Sequence, residues 1–187
     1  MPRLSVILAS VRDGRGGAAI AEWFMQRAQA HGKFDVHLVD LRTVNLPLLS
    51  EPKHPRLRQY EQDSTKAWSA IVVNSDAFVF VTPEYNYSTP PALVNALDHL
   101  YHEWNYKPVG FVSYGGVSGG LRAVQMTKLM VTSFKMMPMW EAVSIPFYAQ
   151  LMENGVFKSN ETHDKAVGPM LDELLRWSDA LKPLRTI

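Results

Sequence analysis

The regular alternation of apolar runs with amphipathic segments constrains the fold of this chain more than any other feature. The apolar runs have the length of strands, and the segments between them carry apolar residues at helical spacing. Such alternation is typical of βαβ units, in which helices cover both faces of a parallel sheet. The clearest buried strand is predicted at residues 77–82, because every position there is apolar or β-branched.

The pattern predicts five strands and five helices. The predicted strands are residues 4–9, 34–40, 77–82, 109–114 and 139–146. The predicted helices are residues 18–31, residues 64–73 with Ser64 as N-cap, a helix that begins near Pro90 or Pro91, and residues 121–136 and 162–181. Because crossovers are right-handed and do not cross, few topologies remain. We predict an α/β fold: a three-layer α/β/α, doubly wound, flavodoxin-like sheet of five parallel strands in the order 2-1-3-4-5.

Length, charge and cysteine content exclude several classes of protein. A chain of 187 residues is expected to form one domain, residues 1–187. Its formal net charge of +1 gives no global field that would attract nucleic acid or an anionic membrane. Cysteine is absent, which excludes disulfides, thiolate catalysis and thiolate metal ligands. The first apolar run is too short for a signal peptide or a membrane span, so we expect a cytoplasmic protein.

Three unusual loops follow the first, third and fourth predicted strands, and in such a sheet these loops meet at one crevice. The first loop, residues 10–17, contains three glycines and ends where a helix begins. Glycines let the backbone approach a ligand, and a helix start offers free N–H groups. With Ser10, Arg12 and Arg15, this loop predicts a phosphate site, although a plain glycine turn with solvated arginines stays an alternative.

The second and third loops suit a planar ring. Residues 82–91 combine stiffening prolines with Tyr85, Tyr87 and Asn86, an amide residue that tolerates unusual backbone angles. Taken alone, a tyrosine here could be a packing residue, and Glu84 a solvated carboxylate or a helix cap. Residues 113–120 contain four glycines, whose N–H groups can bind ring carbonyls or an anionic ring nitrogen.

These motifs resemble those of the NADPH-dependent FMN reductases, a family that includes flavin-containing quinone, azo-dye and chromate reductases. The resemblance covers residues 4–147 and is carried by residues 10–17, 82–88, 93–98 and 114–123. It implies non-covalent FMN and hydride transfer from NADPH, with NADH as an open alternative. It further implies ping-pong transfer to a small oxidised acceptor, which could be a flavin, a quinone, an azo compound or a metal oxyanion. The same resemblance implies a homodimer or a homotetramer built as a dimer of dimers.

The resemblance also implies a set of cofactor-binding residues. The phosphate would be held by Ser10, Arg12, Arg15 and Gly17. The ring would be lined by Pro83, Glu84, Tyr85 and Asn86. The pyrimidine side would meet Tyr114, Gly115, Gly116 and Ser118. No catalytic side chain and no metal are expected, because the flavin carries the chemistry. The chain departs from the family at Arg15-Gly16-Gly17, where small polar residues are common, and at Val94, where a lysine is usual.

Three other functions compete with this interpretation. The spacing of Gly14, Gly16 and Ala19 fits a dinucleotide fingerprint, with Asp40 as the acid that would bind ribose. Gly116-Val-Ser118-Gly-Gly fits the nucleophile elbow of a serine hydrolase, with His163 as the base. The acid of such a hydrolase would be Glu141, Glu153 or Glu161. We expect His163, however, to be solvated near the first turn of the last helix. A flavodoxin-type electron carrier is the third, and the near-neutral charge argues against it.

Two clusters outside the loops are open to more than one interpretation. His99, His102 and Glu103 have the spacing of a metal-binding helix face but are more typical of surface polar residues. The apolar and aromatic residues beside them exceed what one helix face needs, which predicts a subunit contact at Leu97, Leu100, Tyr101 and Trp104.

Overall fold

A computed structural model describes residues 1–185 and contains a five-stranded parallel sheet in the order β2-β1-β3-β4-β5, which confirms the predicted topology. The strands of this sheet are β1 (Arg3–Leu8), β2 (Asp35–Asp40), β3 (Ala77–Pro83), β4 (Pro108–Tyr114) and β5 (Met137–Ile145). A short antiparallel hairpin follows, made of β6 (Met152–Glu153) and β7 (Val156–Phe157).

Helices cover both faces of the sheet, as the three-layer prediction requires. They are α1 (Gly17–His31), α2 (Leu41–Val44), α3 (Asp63–Val73), α4 (Pro91–Asp98), α5 (Leu121–Thr132) and α6 (Glu161–Leu181). Short 3-10 segments lie at Pro55–Leu57, His102–Trp104, Tyr148–Leu151 and Lys182–Leu184. Helices α1 and α6 bury apolar residues on one face, and α3, α4 and α5 do so on the other. None of the helices in residues 1–185 is both long and apolar enough to cross a membrane.

Strand β3 shows why the apolar run was a reliable signal. It lies at the centre of the sheet between β1 and β4, and each of its residues is buried. Successive side chains alternate between the faces, so Val79 and Val81 join one core while Phe78 and Phe80 join the other. A strand covered on both faces needs apolar residues throughout. The carboxyl end of β3, at Pro83, lies beside the loops described below.

Two predicted helix ends are wrong for physical reasons. The helix expected to end at residue 136 stops at Thr132, because Lys135 adopts a left-handed backbone (φ 56°) and β5 already begins at Met137. Ser64 is not the N-cap of α3 but lies inside its first turn. A carboxylate distant in sequence satisfies the backbone there: Glu51 accepts hydrogen bonds from the N–H groups of the two residues that precede the helix, at 2.8 and 3.1 Å.

The predicted subunit contact in and after α4 is wrong for three of its four residues, whereas Tyr101 is partly exposed. Leu97, Leu100 and Trp104 are buried in the core of the chain itself, and the Trp104 ring packs edge to face against Phe78 at 5.0 Å. The exposed tryptophan lies elsewhere: Trp140 on the edge strand β5 is 87% exposed. The sequence could not distinguish a residue buried inside the chain from one that packs against a partner.

His99 and Glu103 are neither surface residues nor part of a metal site. His99 is fully buried, and its Nδ1 lies 2.8 Å from the carbonyl oxygen of Asn95. Glu103 is also buried and accepts hydrogen bonds from the hydroxyls of Tyr60 and Ser69, at 2.9 and 2.8 Å. Within residues 1–185, no group of three acidic, histidine or cysteine side chains could hold a metal ion.

Candidate functional site

A crevice of about 370 Å³ lies at the carboxyl ends of β1, β3, β4 and β5. Most of the predicted site residues line it, namely Ser10, Arg12, Arg15, Pro83, Glu84, Tyr85, Tyr114, Gly115 and Gly116. The other predicted residues, Gly17, Asn86 and Ser118, do not line it. The structure therefore brings the three predicted loops together, as the position of ligand sites in doubly wound sheets requires.

The start of α1 borders this crevice, because Gly14, Arg15 and Gly16, which directly precede the helix, line it. Gly16 precedes the helix and has no side chain that could cap it, and the first turn contains no acidic residue. Among the described residues, no side chain accepts a hydrogen bond from the first-turn N–H groups. A Cβ atom at Gly14, which lines the crevice, would meet nothing within 4 Å, so this part of the loop borders open space. Free N–H groups at the positive end of a helix form a binding site for an anion.

Gly17 and Gly16 are required by close packing behind the crevice. A side chain at Gly17 would collide with the Tyr114 hydroxyl, and one at Gly16 would collide with the Tyr148 ring. The two tyrosine rings pack edge to face at 5.0 Å, and burial raises the pKa of Tyr114 well above its usual range. Gly17 therefore does not line the crevice, yet it allows α1 to begin where it does.

Arg15 is held in an ion pair with Asp40 at the end of β2. Its Nη1 donates to Asp40 Oδ1 and to the Ser10 carbonyl oxygen, both at 2.6 Å, and its Nη2 pairs with Asp40 Oδ2. Burial alone would raise the pKa of Asp40, but hydrogen bonds from Arg15 and from the Arg42 N–H outweigh it and lower that pKa. With both oxygens engaged, Asp40 is not free to bind ribose, so the dinucleotide interpretation loses its acid. Arg12 is exposed and forms no ion pair with residues 1–185.

The loop after β3 contains a tight turn that aims Tyr85 at the first loop. Tyr85 and Ser88 exchange two backbone hydrogen bonds of 3.0 and 3.1 Å, and the two residues between them, Asn86 and Tyr87, have φ of 50° and 69°. Two successive left-handed residues define a type I′ turn. The Tyr85 hydroxyl lies 2.7 Å from Ser10 Oγ, which joins the two loops across the crevice.

Glu84 ties the loop after β3 to the start of α5. It accepts hydrogen bonds from Ser118 Oγ at 2.9 Å, from Arg122 Nε at 2.6 Å and from the Arg122 N–H at 3.1 Å. Burial alone would raise the pKa of Glu84, but these bonds outweigh it and keep that pKa below its ordinary value. Glu84 is thus a buried cap for α5 rather than a solvated carboxylate. The Arg122 guanidinium also stacks on the Tyr87 ring at 3.8 Å.

The geometry does not support a serine hydrolase. The hydroxyl of Ser118 interacts with Glu84, Arg122 and the Gly120 N–H, and none of these can act as its general base in the manner of a histidine. His163 is in the first turn of α6, as expected, but it is buried rather than solvated. Its Nδ1 and N–H are both used in a capping box with Asn160.

One wall of the crevice was not predicted from the sequence. The segment after β5 contributes Phe147, Tyr148, Ala149 and Gln150 to its lining. It is fixed in place by backbone hydrogen bonds from Phe147 to Gly116 and from Tyr148 to Gly115, at 3.0 and 3.3 Å. An aromatic pair directly after the last predicted strand was the available signal, because that strand ends at the same edge of the sheet.

Comparisons with known proteins agree with this architecture. Residues 2–150 match the family described as NADPH-dependent FMN reductase. An NAD(P)H-dependent FMN reductase of Schizosaccharomyces pombe is 41% identical over 148 residues, which cover 78% of this chain and 74% of the relative. An NAD(P)H-dependent FMN reductase of a Nectria species is 29% identical over 195 residues, covering 98% of this chain and 97% of the relative.

A solved structure shares the fold. The flavoenzyme NAD(P)H:(acceptor) oxidoreductase of Paracoccus denitrificans aligns with a TM-score of 0.75 and 21% identity, covering 96% of this chain and 98% of that one. The chain belongs to the NADPH-dependent FMN reductase family and is an oxidoreductase that works with FMN and NAD(P)H.

Proposed function

We propose that the protein moves a hydride from NAD(P)H to FMN held in the crevice and then reduces a small oxidised acceptor that enters the same space. The observation that carries this proposal is the composition of the crevice, with an uncapped helix start at one end and tyrosine and backbone walls at the other. FMN, when bound, supplies the redox chemistry, since it can take up a hydride and release electrons. The residues then have to bind and orient rather than act as acids or bases.

The phosphate end of the proposed site is the loop after β1. The N–H groups of Gly17 and the following residues would donate to the phosphate, with Ser10 and the guanidinium of Arg12 beside them. Arg15 belongs to the same site, where its guanidinium donates both to the Ser10 carbonyl oxygen and to the Asp40 carboxylate. These hydrogen bonds would fix the conformation of the loop before the phosphate binds, which reduces the entropy cost of binding.

The ring end of the proposed site is formed by the loops after β3 and β4. Residues 83–86 would line one side of the ring largely through backbone groups, with the Tyr85 ring as a flat apolar surface. Tyr114, Gly115 and Gly116 would meet the pyrimidine side. Ser118 acts from behind, because its bond to Glu84 helps to keep the two loops at a fixed separation. Crevices that bury a planar ligand are commonly lined in this way.

The proposed acceptors are flavins, quinones, azo compounds and metal oxyanions. The rim of the crevice exposes flat or apolar side chains, including Tyr87 and Phe147, which suits a planar oxidised molecule. If the nicotinamide and the acceptor use one space in turn, the kinetics are ping-pong, with the first product leaving before the second substrate binds. We place this activity in the cytoplasm, where NAD(P)H is available, and in one domain that comprises the whole chain.

A second copy of the chain would complete the crevice. Exposed apolar side chains occur in the loops after β3 and β4 and along α5, and they are Tyr87, Val117, Leu121, Met126 and Leu129. Exposed apolar side chains in neighbouring segments can mark an interface between subunits. We propose a homodimer through this face, or a dimer of dimers that contains it. Leu129→Glu should convert the dimer to a monomer in light scattering, whereas Glu22→Gln on the exposed face of α1 should not.

The visible spectrum and the steady-state kinetics test the redox proposal separately. The purified protein, reconstituted with FMN, should show flavin absorption that heat releases and NADPH bleaches. Initial rates with NADPH varied at several fixed concentrations of 1,4-benzoquinone should give parallel double-reciprocal lines. A protein that takes up no FMN would contradict the assigned site. Intersecting lines would contradict only the ping-pong order.

A further inference from the structure

A second cavity lies on the opposite side of the sheet from the crevice described above, at the other ends of the strands. It measures about 310 Å³ and is bounded by segments that precede β4 and β5, the end of α3 and the residues that follow α6. Lys107 comes directly before β4, and Lys135 lies two residues before β5. The cavity is therefore at the amino ends of the strands and shares no lining residue with the crevice. We call it the amino-edge pocket.

The amino-edge pocket is rich in positive charge, although the whole chain is nearly neutral. Four of its lining side chains are cationic and one is a carboxylate: Arg58, Lys107, Lys135 and Arg185, against Glu103. Arg185 is neutralised, because its Nη1 donates to Asp76 Oδ1 at 2.9 Å and its other nitrogens bond backbone carbonyls. Within residues 1–185, Arg58, Lys107 and Lys135 take part in no ion pair, so the pocket contains more unpaired basic side chains than carboxylates.

Lys107 is unusual because it is a buried cation with only neutral acceptors. It is 5% exposed, and its Nζ donates to the carbonyl oxygens of Val72 and Val73 at 2.6 and 3.1 Å. An ammonium has three donors, which leaves one N–H without a protein acceptor in the described structure. Burial is the main cause that lowers the pKa of Lys107 to about 7. A bound anion would supply both the missing acceptor and the missing negative charge.

Three residues that line the same pocket have an uncommon backbone conformation. Arg58, Tyr106 and Lys135 all have left-handed backbones, with φ of 52°, 58° and 56°. Such conformations are uncommon for residues other than glycine and are retained where the surrounding structure imposes them, often at ligand sites. Here they hold two cations and a tyrosine at the rim, and Lys135 Nζ lies 3.4 Å from the Tyr106 hydroxyl.

We propose that the amino-edge pocket binds a small polyanionic metabolite through its oxyanion groups, which are phosphates or carboxylates. The exposed guanidinium of Arg58 can form paired hydrogen bonds with either group, and Lys135 adds a point charge. The volume matches a small phosphorylated or polycarboxylate molecule and is at the lower end for ligand pockets. Because the pocket lies outside the crevice, this proposal does not depend on the proposed redox function.

Calorimetric titration of the FMN-saturated protein tests the proposal, because its phosphate site in the crevice is then occupied. Sodium pyrophosphate and sodium citrate are the two probes, titrated separately at constant ionic strength. We expect one site per chain for at least one probe, and the tighter probe identifies phosphate or carboxylate as the preferred group. The double variant Arg58→Gln/Lys135→Gln should weaken that binding about tenfold or more.

The matched control is Lys165→Gln/Arg176→Gln, which removes two exposed cations from α6 and therefore changes the net charge equally. It should leave the affinity within about twofold of that of the unchanged protein. Both double variants alter only exposed side chains, and their flavin spectra verify that the fold is intact. Failure of both probes to bind the unchanged protein, or an equal loss of affinity in both double variants, would overturn the proposal.

Discussion

Two helices, α1 and α5, each follow a glycine-rich loop at the crevice, and they differ in what their first N–H groups bind. In α5, the N–H of Arg122 donates to Glu84, a carboxylate from the neighbouring loop, at 3.1 Å. In α1, the first turn has no carboxylate, and no described side chain accepts from it. Both loops look alike in sequence, because each combines several glycines with a helix start.

Under the proposed function, this difference would let one crevice distinguish the two ends of a flavin nucleotide. At the start of α5, Glu84 already accepts from a first-turn N–H and is itself paired with Arg122, which disfavours a phosphate there. The start of α1 has no such carboxylate, and Arg12 lies on the loop that precedes it. The proposed phosphate site is therefore at α1 and not at α5.

Disturbing the packing behind the start of α1 should have the largest effect. Gly17→Ala forces a Cβ against the Tyr114 hydroxyl, so either the helix start or the Tyr114 side chain must shift. We expect FMN to bind about 100-fold more weakly and the free energy of unfolding to fall by about 1–3 kcal/mol. Gly168→Ala, inside α6 with open space around it, is the control and should not weaken FMN binding. Fluorescence titration with FMN measures both, and equal affinities would contradict the packing argument.

Supplying α1 with its own carboxylate should make it resemble α5. Ala18 is exposed in the first turn, so Ala18→Asp adds negative charge where the phosphate is expected to bind. We expect FMN affinity to fall about tenfold through repulsion, while the free protein becomes slightly more stable. Ala18→Asn has the same shape without the charge and should bind FMN almost normally. If the two variants bind FMN equally, the phosphate does not lie at this helix.

Removing the charge that closes α5 should have a smaller effect. Glu84→Gln weakens the bonds to Arg122 and Ser118, and we expect FMN affinity to fall about three- to tenfold as the two loops separate. Because the pKa of Glu84 is lowered in the folded state, its contribution to stability is present above its unfolded pKa of about 4.3 and is lost as pH falls through the folded pKa.

Denaturant unfolding as a function of pH measures that contribution. The difference in unfolding free energy between the unchanged protein and Glu84→Gln should be largest near neutral pH and should shrink below about pH 4. The exposed Glu22→Gln provides the control and should show little difference at any pH. A difference for Glu84→Gln that is independent of pH would mean that its charge is not what holds the loops.

Removing the hydrogen bond between Tyr85 and Ser10, which joins two walls of the crevice, should have the smallest effect on FMN affinity. Tyr85→Phe keeps the flat ring and removes only the hydroxyl that lies 2.7 Å from Ser10 Oγ. We expect about a two- to fivefold loss of FMN affinity, the value of one neutral hydrogen bond. Tyr148→Phe removes a hydroxyl from the same crevice without breaking a bond between described residues. If FMN affinity falls more in Tyr148→Phe than in Tyr85→Phe, the ligand contacts the wall formed by residues 147–150 instead.

Much of this fold could be predicted because its strongest signals are local. The run at β3 needs no partner to be recognised as a buried strand, and the handedness of crossovers then limits the strand order. The helix ends were less predictable, since Lys135 in a left-handed conformation and Glu51 acting from a distant loop leave no local signal. The burial of Trp104 and the exposure of Trp140 depend on what the chain packs against them.

The residues alone predict the parallel sheet, the end of its strands at which the glycine-rich loops meet and the family to which those loops belong. They do not predict which helix start lacks a carboxylate, because Glu84 and Arg122 are far apart in the chain and meet only when β3 and β4 pair. It also added the wall at Phe147 and Tyr148 and the amino-edge pocket, whose cations come from separate segments. Local pattern fixes which elements form, whereas the satisfaction of charges and N–H groups depends on contacts between segments distant in sequence.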